Sequence, residues 1–366
     1  MDAHADPSLD PADFDEARLA GFETRLVAAL NEAAMLLMVS VGHRSGLFDA
    51  LERAGSTTIA GLAGAAGCSE RYVREWLGAM TAARIVAHDP SDGTYALPAE
   101  HAALLTRDGI ANLAGMAQYI PLLGGVEDDI VRCFREGGGV PYARYTRFHE
   151  VMAEDSGLTV LPALVDAILP LVPGLTERLE AGIRVLDVGC GRGRALHLLA
   201  RTFPNSRFTG FDLSEEAIGW ARSQAAAEGL ENIAFEVRDL SDFDVSAPPA
   251  CFDLVTSFDA VHDQAKPRAL LAGIRRTLAE DGVYLAQDVQ GTSHHHGDRD
   301  HPLATLLYTV SCMHCTPVSL AQGGEGLGAM WGREVAERYF REAGFGSVEV
   351  HELPHDAQNF YYVCRP

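Results

Sequence analysis

At 366 residues the chain is long enough for two domains and can bury a sizeable core. It is 47% hydrophobic and 22% charged, with 29 basic against 51 acidic residues, a net charge of -22. That balance excludes a protein whose affinity rests on neutralising phosphates, and it suits a solvated protein with a small-molecule ligand. The seven cysteines (Cys68, Cys133, Cys190, Cys251, Cys312, Cys315 and Cys364) are odd in number and scattered. They form no disulfide framework, which points to a reducing compartment and a cytoplasmic location.

Residues 1–15 are acidic and contain proline, and they read as a disordered tail. They lack the basic start and apolar run of a secretory signal. The apolar run at 33–41 is far shorter than the roughly 20 residues that span a bilayer, so no membrane partner is expected. From 16 to 41 apolar residues recur at helical spacing: Leu19, Phe22, Leu26, Val27, Leu30, Ala34, Leu37, Met38 and Val41. The stripe is wide for a solitary surface helix and predicts packing in a core or against a second copy of the chain.

Short helices follow at 43–54, 58–66 and 70–83, the last capped by Ser69 with Val73, Trp76, Leu77 and Met80 on one face. Two short strands, 85–87 and 95–97, then flank the turn Asp89-Pro90-Ser91-Asp92-Gly93. This order is a winged helix-turn-helix pattern over 16–110. Helices across 111–181 would form a linker and a pocket wall. A DNA-reading role is the alternative for the winged helix. The third helix, however, sets Arg71, Arg74 and Arg84 against Glu70 and Glu75, and the wing carries two acids and no Lys or Arg. No nucleic-acid partner is expected.

From residue 182 to 366 strands and helices alternate. The candidate strands are 184–188, 207–212, 233–238, 254–258, 283–289, 347–353 and 360–364, with helices at 195–202, 215–228, 267–278 and 332–343. That alternation predicts an α/β fold, a seven-stranded doubly wound sheet covered on both faces, with its last strand antiparallel. The first strand ends in Asp187 and runs through Val188 into Gly189-Cys190-Gly191-Arg192-Gly193 at the start of a helix. Glycines there permit a tight turn and let backbone N–H groups approach a ligand, and the helix N-terminus favours an anionic group such as a carboxylate. Two further acids close later strands. Asp212 can accept hydrogen bonds from ribose hydroxyls, and Asp239 can accept from an adenine amino group.

The motifs Leu186-Asp187-Val188-Gly189-Cys190-Gly191-Arg192-Gly193, Phe211-Asp212 and Arg238-Asp239-Leu240 resemble those of the class I S-adenosylmethionine-dependent methyltransferases. Asp187 ahead of the first glycine would repel a pyrophosphate and suits a cationic amine. The resemblance covers 182–366 and implies a Rossmann-like methyltransferase domain. It places Gly189 to Gly193 around the methionine portion, Asp212 on the ribose and Asp239 near adenine, with Cys190, Leu213, Leu240 and Phe258 completing the cofactor set. The preceding segment resembles the winged-helix dimerisation domain of small-molecule O-methyltransferases, which implies a homodimer. A bacterial group of related methyltransferases shares Tyr145-Thr146-Arg147-Phe148-His149-Glu150 and Phe258-Asp259-Ala260-Val261-His262-Asp263-Gln264.

The resemblance also implies a reaction: methyl transfer to a hydroxyl or phenol of a small molecule. His262 would be the general base and Asp263 its partner, although Gln264 stands where a Trp is usual. Tyr119, Tyr145, Phe148, His149 and Met152 from the linker would wall the acceptor pocket. Tyr308 and His314, from the long segment 290–328, would join them. A methyltransferase fold that uses the cofactor for other chemistry is a further alternative. No metal is expected from His294-His295-His296, Cys312, His314 and Cys315, because Cys-x-His-Cys is not a zinc spacing.

Overall fold

The computed structural model describes residues 14–109 and 112–366, without the side chains of Ser156 and Leu158. The expected acidic tail lies outside the described residues up to residue 13. The chain divides into a unit that ends at Ile120 and a unit from Pro121 to Pro366.

In the first unit, helix α1 (Glu16–Arg44) starts on an N-cap: the Asp15 carboxylate accepts hydrogen bonds from the Ala17 and Arg18 N–H groups. Helices α2 (Leu47–Ala54), α3 (Ile59–Ala66) and α4 (Glu70–Ala82) follow, then the hairpin β1 (Ala87–Asp89) and β2 (Thr94–Ala96), then α5 (Ala99–Leu105). The strand register pairs Ala87 with Ala96. The core gathers Phe48, Leu51, Leu62, Val73, Trp76, Leu77 and Met80, so the predicted face of α4 is the buried one. On its outer face Arg71 ion-pairs with Glu75 and Arg74 with Glu70, which neutralises the charge a DNA contact would need. Only the end of α1 is buried, at Val39, Ser40, Gly42 and His43. Leu19, Phe22, Leu26, Val27, Leu30, Leu37 and Val41 are exposed, so α1 spends most of its stripe outside the core. Among the described residues α1 is also the one helix long and apolar enough to cross a membrane by length and composition.

The chain leaves the first unit through α6 (Tyr119–Gly124). The second unit opens with α7 (Glu127–Glu136), α8 (Phe148–Thr159) and α9 (Leu175–Ala181). Then β3 (Arg184–Val188), α10 (Arg194–Thr202), β4 (Arg207–Asp212), α11 (Glu215–Ala227), β5 (Ile233–Val237), α12 (Phe243–Ser246), β6 (Phe252–Phe258), α13 (Pro267–Thr277) and β7 (Leu278–Val289) alternate. After β7 come α14 (Ala304–Val310), a π-helical turn at Ser311–Cys315, α15 (Thr316–Ala321) and α16 (Gly332–Glu342). A closing pair, β8 (Ser347–Leu353) and β9 (Asp356–Arg365), ends the chain.

The sheet order is β5-β4-β3-β6-β7-β9-β8, parallel from β5 to β7, with β9 antiparallel to both its neighbours. The expected seven-stranded doubly wound sheet is therefore present. Consecutive residues of the central strands serve opposite faces. Val185 and Leu254 join one core cluster, whereas Leu186 and Val255 join the other. Strands buried on both faces read as continuous apolar runs, which is why they stood out in the sequence. Strand β7 runs longer than its apolar signal, from Leu278 rather than 283, because Leu278 already pairs with Phe252 ahead of an irregularity, after which the ladder resumes at Val283. The strand order reverses between β3 and β6. In open α/β sheets that switch point opens a crevice at the carboxyl ends of the strands.

Candidate active site

At the switch point β3 passes into the glycine turn. Gly189, Gly191 and Gly193 have φ of 71, 52 and 66°, a region that L-residues rarely adopt. At two of them space is also absent. A Cβ on Gly189 would lie 2.4 Å from the Ala260 side chain, and one on Gly193 would lie 2.3 Å from the Phe235 ring. At Gly191 nothing stands within 4 Å, so the middle of the turn is open. The Gly189 and Cys190 N–H groups donate to the Phe211 carbonyl (2.8 and 3.0 Å), which ties the turn to β4. Asp212 locks the next layer. Its carboxylate accepts from the Gly191 N–H and the Ser214 N–H, both at 2.8 Å, so the turn and the start of α11 share one anchor.

Asp187 is only 2% exposed and accepts a hydrogen bond from the Thr256 hydroxyl at 2.8 Å. Burial pushes its carboxyl up to about 7, against the Thr256 bond that favours the charged form. A buried acid held near neutrality can take on full charge when a cation arrives beside it.

These residues line a cavity of about 680 Å³. All ten expected cofactor positions are on its wall: Asp187, Gly189, Cys190, Gly191, Gly193, Asp212, Leu213, Asp239, Leu240 and Phe258. Of the expected acceptor residues, Tyr145, Phe148, His149 and Met152 line it too. Tyr119 belongs to the first unit, where it is buried. Tyr308 is not on the wall: its hydroxyl donates to Asp298 at 2.7 Å and its ring meets His295 edge-on. His314 is not on the wall either. It stacks on Phe148, with centroids 3.5 Å apart, one layer behind.

An aromatic group thus builds one side of the cavity. His149 stacks on Tyr142 at 4.9 Å, Tyr142 meets Phe148 edge-on, and the Tyr145 hydroxyl donates to the Met313 carbonyl at 2.6 Å. That bond fastens residues 142–148 to the π-helical turn. Burial lowers the pKa of His149 and lowers that of His314 far more, so both rings are neutral near pH 7. His149 Nε2 and both His314 ring nitrogens are buried without a hydrogen-bond partner. Tyr142 was not singled out from the sequence. It sits in a short 3-10 turn, with no periodicity to mark its direction.

The expected His262–Asp263 pair is divided. Asp263 lines the cavity; His262, 4% exposed, does not. His262 Nδ1 lies 2.7 Å from Asp288 Oδ1, and the ring also hydrogen-bonds the Cys315 thiol. The Trp331 indole N–H donates to the same Asp288 oxygen at 2.9 Å. Burial works against a charge on His262, but Asp288 and Cys315 outweigh it and hold its pKa well above the usual value. The residue that steadies His262 is thus Asp288 rather than its neighbour Asp263. Successive residues after a strand point in different directions, whereas Asp288 on β7 lies beside the end of β6. Asp263 accepts from the Gln264 amide at 3.3 Å, and burial, partly offset by His262, lifts its carboxyl to about 6.

Comparison with known proteins agrees with this architecture. Residues 33–107 match the Rv2258c-like winged HTH domain, and residues 179–344 match a methyltransferase domain. The chain is 33% identical over 109 residues to the fatty-acid O-methyltransferase of Mycolicibacterium smegmatis, a match covering 30% of this chain and 38% of that protein. It is 32% identical over 103 residues to a ubiquinone biosynthesis O-methyltransferase of Neisseria meningitidis, covering 28% and 42%. The chain therefore spans less than half the length of these curated relatives. Among solved structures, the mitomycin 7-O-methyltransferase MmcR aligns with a TM-score of 0.69 at 18% identity, over 96% of this chain and 100% of the other. Human N-acetylserotonin methyltransferase in complex with S-adenosylmethionine aligns at 0.66 and 20% identity, over 97% and 99%.

A doubly wound sheet with a glycine cradle at its switch point and acids closing successive strands defines the class I S-adenosylmethionine-dependent methyltransferase fold. The chain carries such a methyltransferase domain behind a winged-helix domain. The cradle fits S-adenosylmethionine as its cofactor: Gly189 and Gly193 admit no side chain, Gly191 is open, and Asp187 is a buried acid poised for a cation.

Proposed function

We propose that the protein methylates an oxygen of a small, partly apolar molecule, with S-adenosylmethionine as donor. One observation carries the reading: the complete cofactor set and the aromatic wall Tyr142, Tyr145, Phe148 and His149 line the same cavity. Its volume of about 680 Å³ falls within the range of small-molecule sites. The bound cofactor supplies a methyl group on a sulfonium, an electrophile that an oxygen nucleophile takes up with release of the neutral thioether.

The chain supplies position and a proton acceptor. The glycine turn and Asp187 would hold the methionine portion, Asp212 the ribose and Asp239 the adenine. The aromatic wall offers flat apolar contact to an acceptor and excludes water. A hydroxyl or phenol nucleophile gives up its proton as it reacts, and Asp263 is the carboxylate of the expected pair that reaches the cavity. We therefore assign the proton to an Asp263 oxygen and give His262 a supporting place, fixed by Asp288, Cys315 and Trp331. This reading exchanges the roles expected from sequence.

We also propose a homodimer built on α1, because its apolar stripe is exposed over most of its length among the described residues. An exposed stripe of that length is stabilised by an equivalent stripe on a second copy.

The test is a screen of hydroxylated aromatic and fatty acceptors, followed by two variants on the best one. Asp263→Asn is expected to lower kcat by about a hundredfold, within the usual range for a general base, and leave binding of S-adenosylhomocysteine intact. Unchanged kcat in that variant, with loss in a folded His262→Gln variant, restores His262 as the base.

A further inference from the structure

Asp259 opens the loop after β6, and Asp288 stands on β7 beside it. The Asp288 carboxylate is divided in its contacts. Oδ1 receives the His262 ring at 2.7 Å, the Trp331 indole N–H at 2.9 Å and the Val289 N–H at 2.9 Å. Oδ2 is buried, in a side chain 1% exposed, and has no hydrogen-bond partner. Asp259 Oδ1 is likewise buried and without a partner. Atoms offered by Asp259, His262 and Asp288 all lie within 4.8 Å of one another.

Asp356, a third buried acid near this cluster, provides the contrast. Its carboxylate accepts from the Asn359 amide, the Tyr361 hydroxyl and the Gln358 N–H. The fold thus supplies donors to a buried acid where it needs them, yet leaves one carboxylate oxygen on Asp259 and one on Asp288 without any. Buried polar atoms are rarely left so, and buried charges are paired or coordinate a metal.

We propose that Asp259 and Asp288 hold a hard divalent cation, Mg²⁺ or Mn²⁺, beside the acceptor cavity. Two carboxylates with remaining positions for water or substrate are the usual setting for Mg²⁺, whose oxygen ligands stand about 2.1 Å away. His262 and Trp331 saturate Asp288 Oδ1 and so aim Oδ2 at the ion, an outer layer of support of the kind metal sites depend on. Asp259 also lines the cavity, which puts the ion at its wall. A cation there binds and acidifies an acceptor carrying two neighbouring oxygens, such as a catechol, an enediol or an α-hydroxy acid. That last assignment rests on the methyl-transfer reading; the cation site does not.

The test measures the ion directly. Full-length protein, stripped with chelator, is titrated with Mn²⁺ and followed by the loss of the free-ion electron paramagnetic resonance signal, with Mg²⁺ as competitor. One saturable, Mg²⁺-displaceable site per chain is expected in the wild type, weakened at least tenfold in Asp259→Asn. Asparagine suits this position, because Asp259 has φ 51°, a conformation that Asn and Asp tolerate best. Binding of S-adenosylhomocysteine, unchanged in the variant, verifies its fold. No saturable Mn²⁺ binding by the wild type overturns the proposal and leaves the two oxygens sharing a proton. Undiminished Mn²⁺ binding by the variant overturns it too. Neither result bears on methyl transfer, which is read separately by product formation.

Discussion

The proposed contact of Asp187 with the cofactor amine predicts an affinity that depends on pH, in a direction set by the environment of this acid. In the ligand-free fold its carboxyl titrates at about 7, because burial outweighs the Thr256 hydrogen bond. A cationic amine favours the carboxylate, so binding must first remove the proton. From that value the charged fraction is about 0.1 at pH 6.0 and about 0.75 at pH 7.5. The ligand's own α-amino group, with an ordinary pKa of about 7.7–8.0, loses about a third of its charge over the same interval. The net expectation is an affinity for S-adenosylhomocysteine about sixfold higher at pH 7.5 than at pH 6.0, falling again at higher pH. Isothermal titration calorimetry in buffers of differing ionisation enthalpy reads both the affinity and the proton released at pH 6.0. In Asp187→Asn, which keeps an acceptor for the Thr256 hydroxyl, the rise should vanish and affinity should drift down by about a third, from the amine alone. The stability of the ligand-free fold runs the other way. Its raised acid keeps a proton that the unfolded chain releases near pH 4, so this group weakens the fold as pH climbs from 4 towards 7. The melting shift produced by ligand should accordingly be larger at pH 7.5 than at pH 6.0. A wild-type affinity that is flat or falling between pH 6.0 and 7.5 refutes the assignment of Asp187 to the amine.

Three further outcomes follow from the same geometry. Gly189→Ala sets a Cβ 2.4 Å from Ala260 at a φ of 71°, and should cost about 2 kcal/mol or more, seen as a melting point lowered by several degrees. Asp212→Ala removes the anchor shared by the Gly191 and Ser214 N–H groups along with the proposed ribose contact. Affinity for S-adenosylhomocysteine should fall at least tenfold by calorimetry, and intact affinity would sink the ribose assignment. Leu26→Glu combined with Leu30→Glu charges the exposed stripe of α1 and should shift the protein from dimer to monomer in sedimentation velocity. A wild-type chain that sediments as a monomer at micromolar concentration contradicts the dimer.

The glycine turn and the strand-end acids that line the cavity were readable because their signals are local. A glycine cluster after an apolar strand and an acid at the end of the next strand each lie within a few residues of one chain segment. Their meeting in one cavity needs only the parallel alternation that the apolar runs announce. The α4 face was equally plain, since Val73, Trp76, Leu77 and Met80 repeat at helical period. The acceptor side follows different rules. Which of Tyr142, Tyr145, Phe148, His149 and His314 reaches the cavity depends on a 3-10 turn, on the start of α8 and on a π-helical turn. None of these carries a regular period, so Tyr145, Phe148, His149 and Met152 were expected on the wall and line it, whereas Tyr142 was missed and Tyr119, Tyr308 and His314 lie elsewhere.

His262 shows why pairing by adjacency fails. Sequence offers Asp263 as its partner because the two are neighbours, yet consecutive side chains after a strand diverge. The bond instead goes to Asp288, 26 residues on, in a strand that reads as apolar, and Trp331 completes it from a 3-10 turn farther still. The sheet order puts β6 against β7, and that adjacency turns two distant acids and a histidine into one cluster. The cation proposal arises at the same place for the same reason. No spacing in the chain marks Asp259 and Asp288 as a pair, and only the unmet oxygen on each, once the strands are side by side, distinguishes them from the well-satisfied Asp356. Chemistry carried by one segment can be read along the chain. Chemistry assembled between strands becomes visible only when every buried donor and acceptor is accounted for.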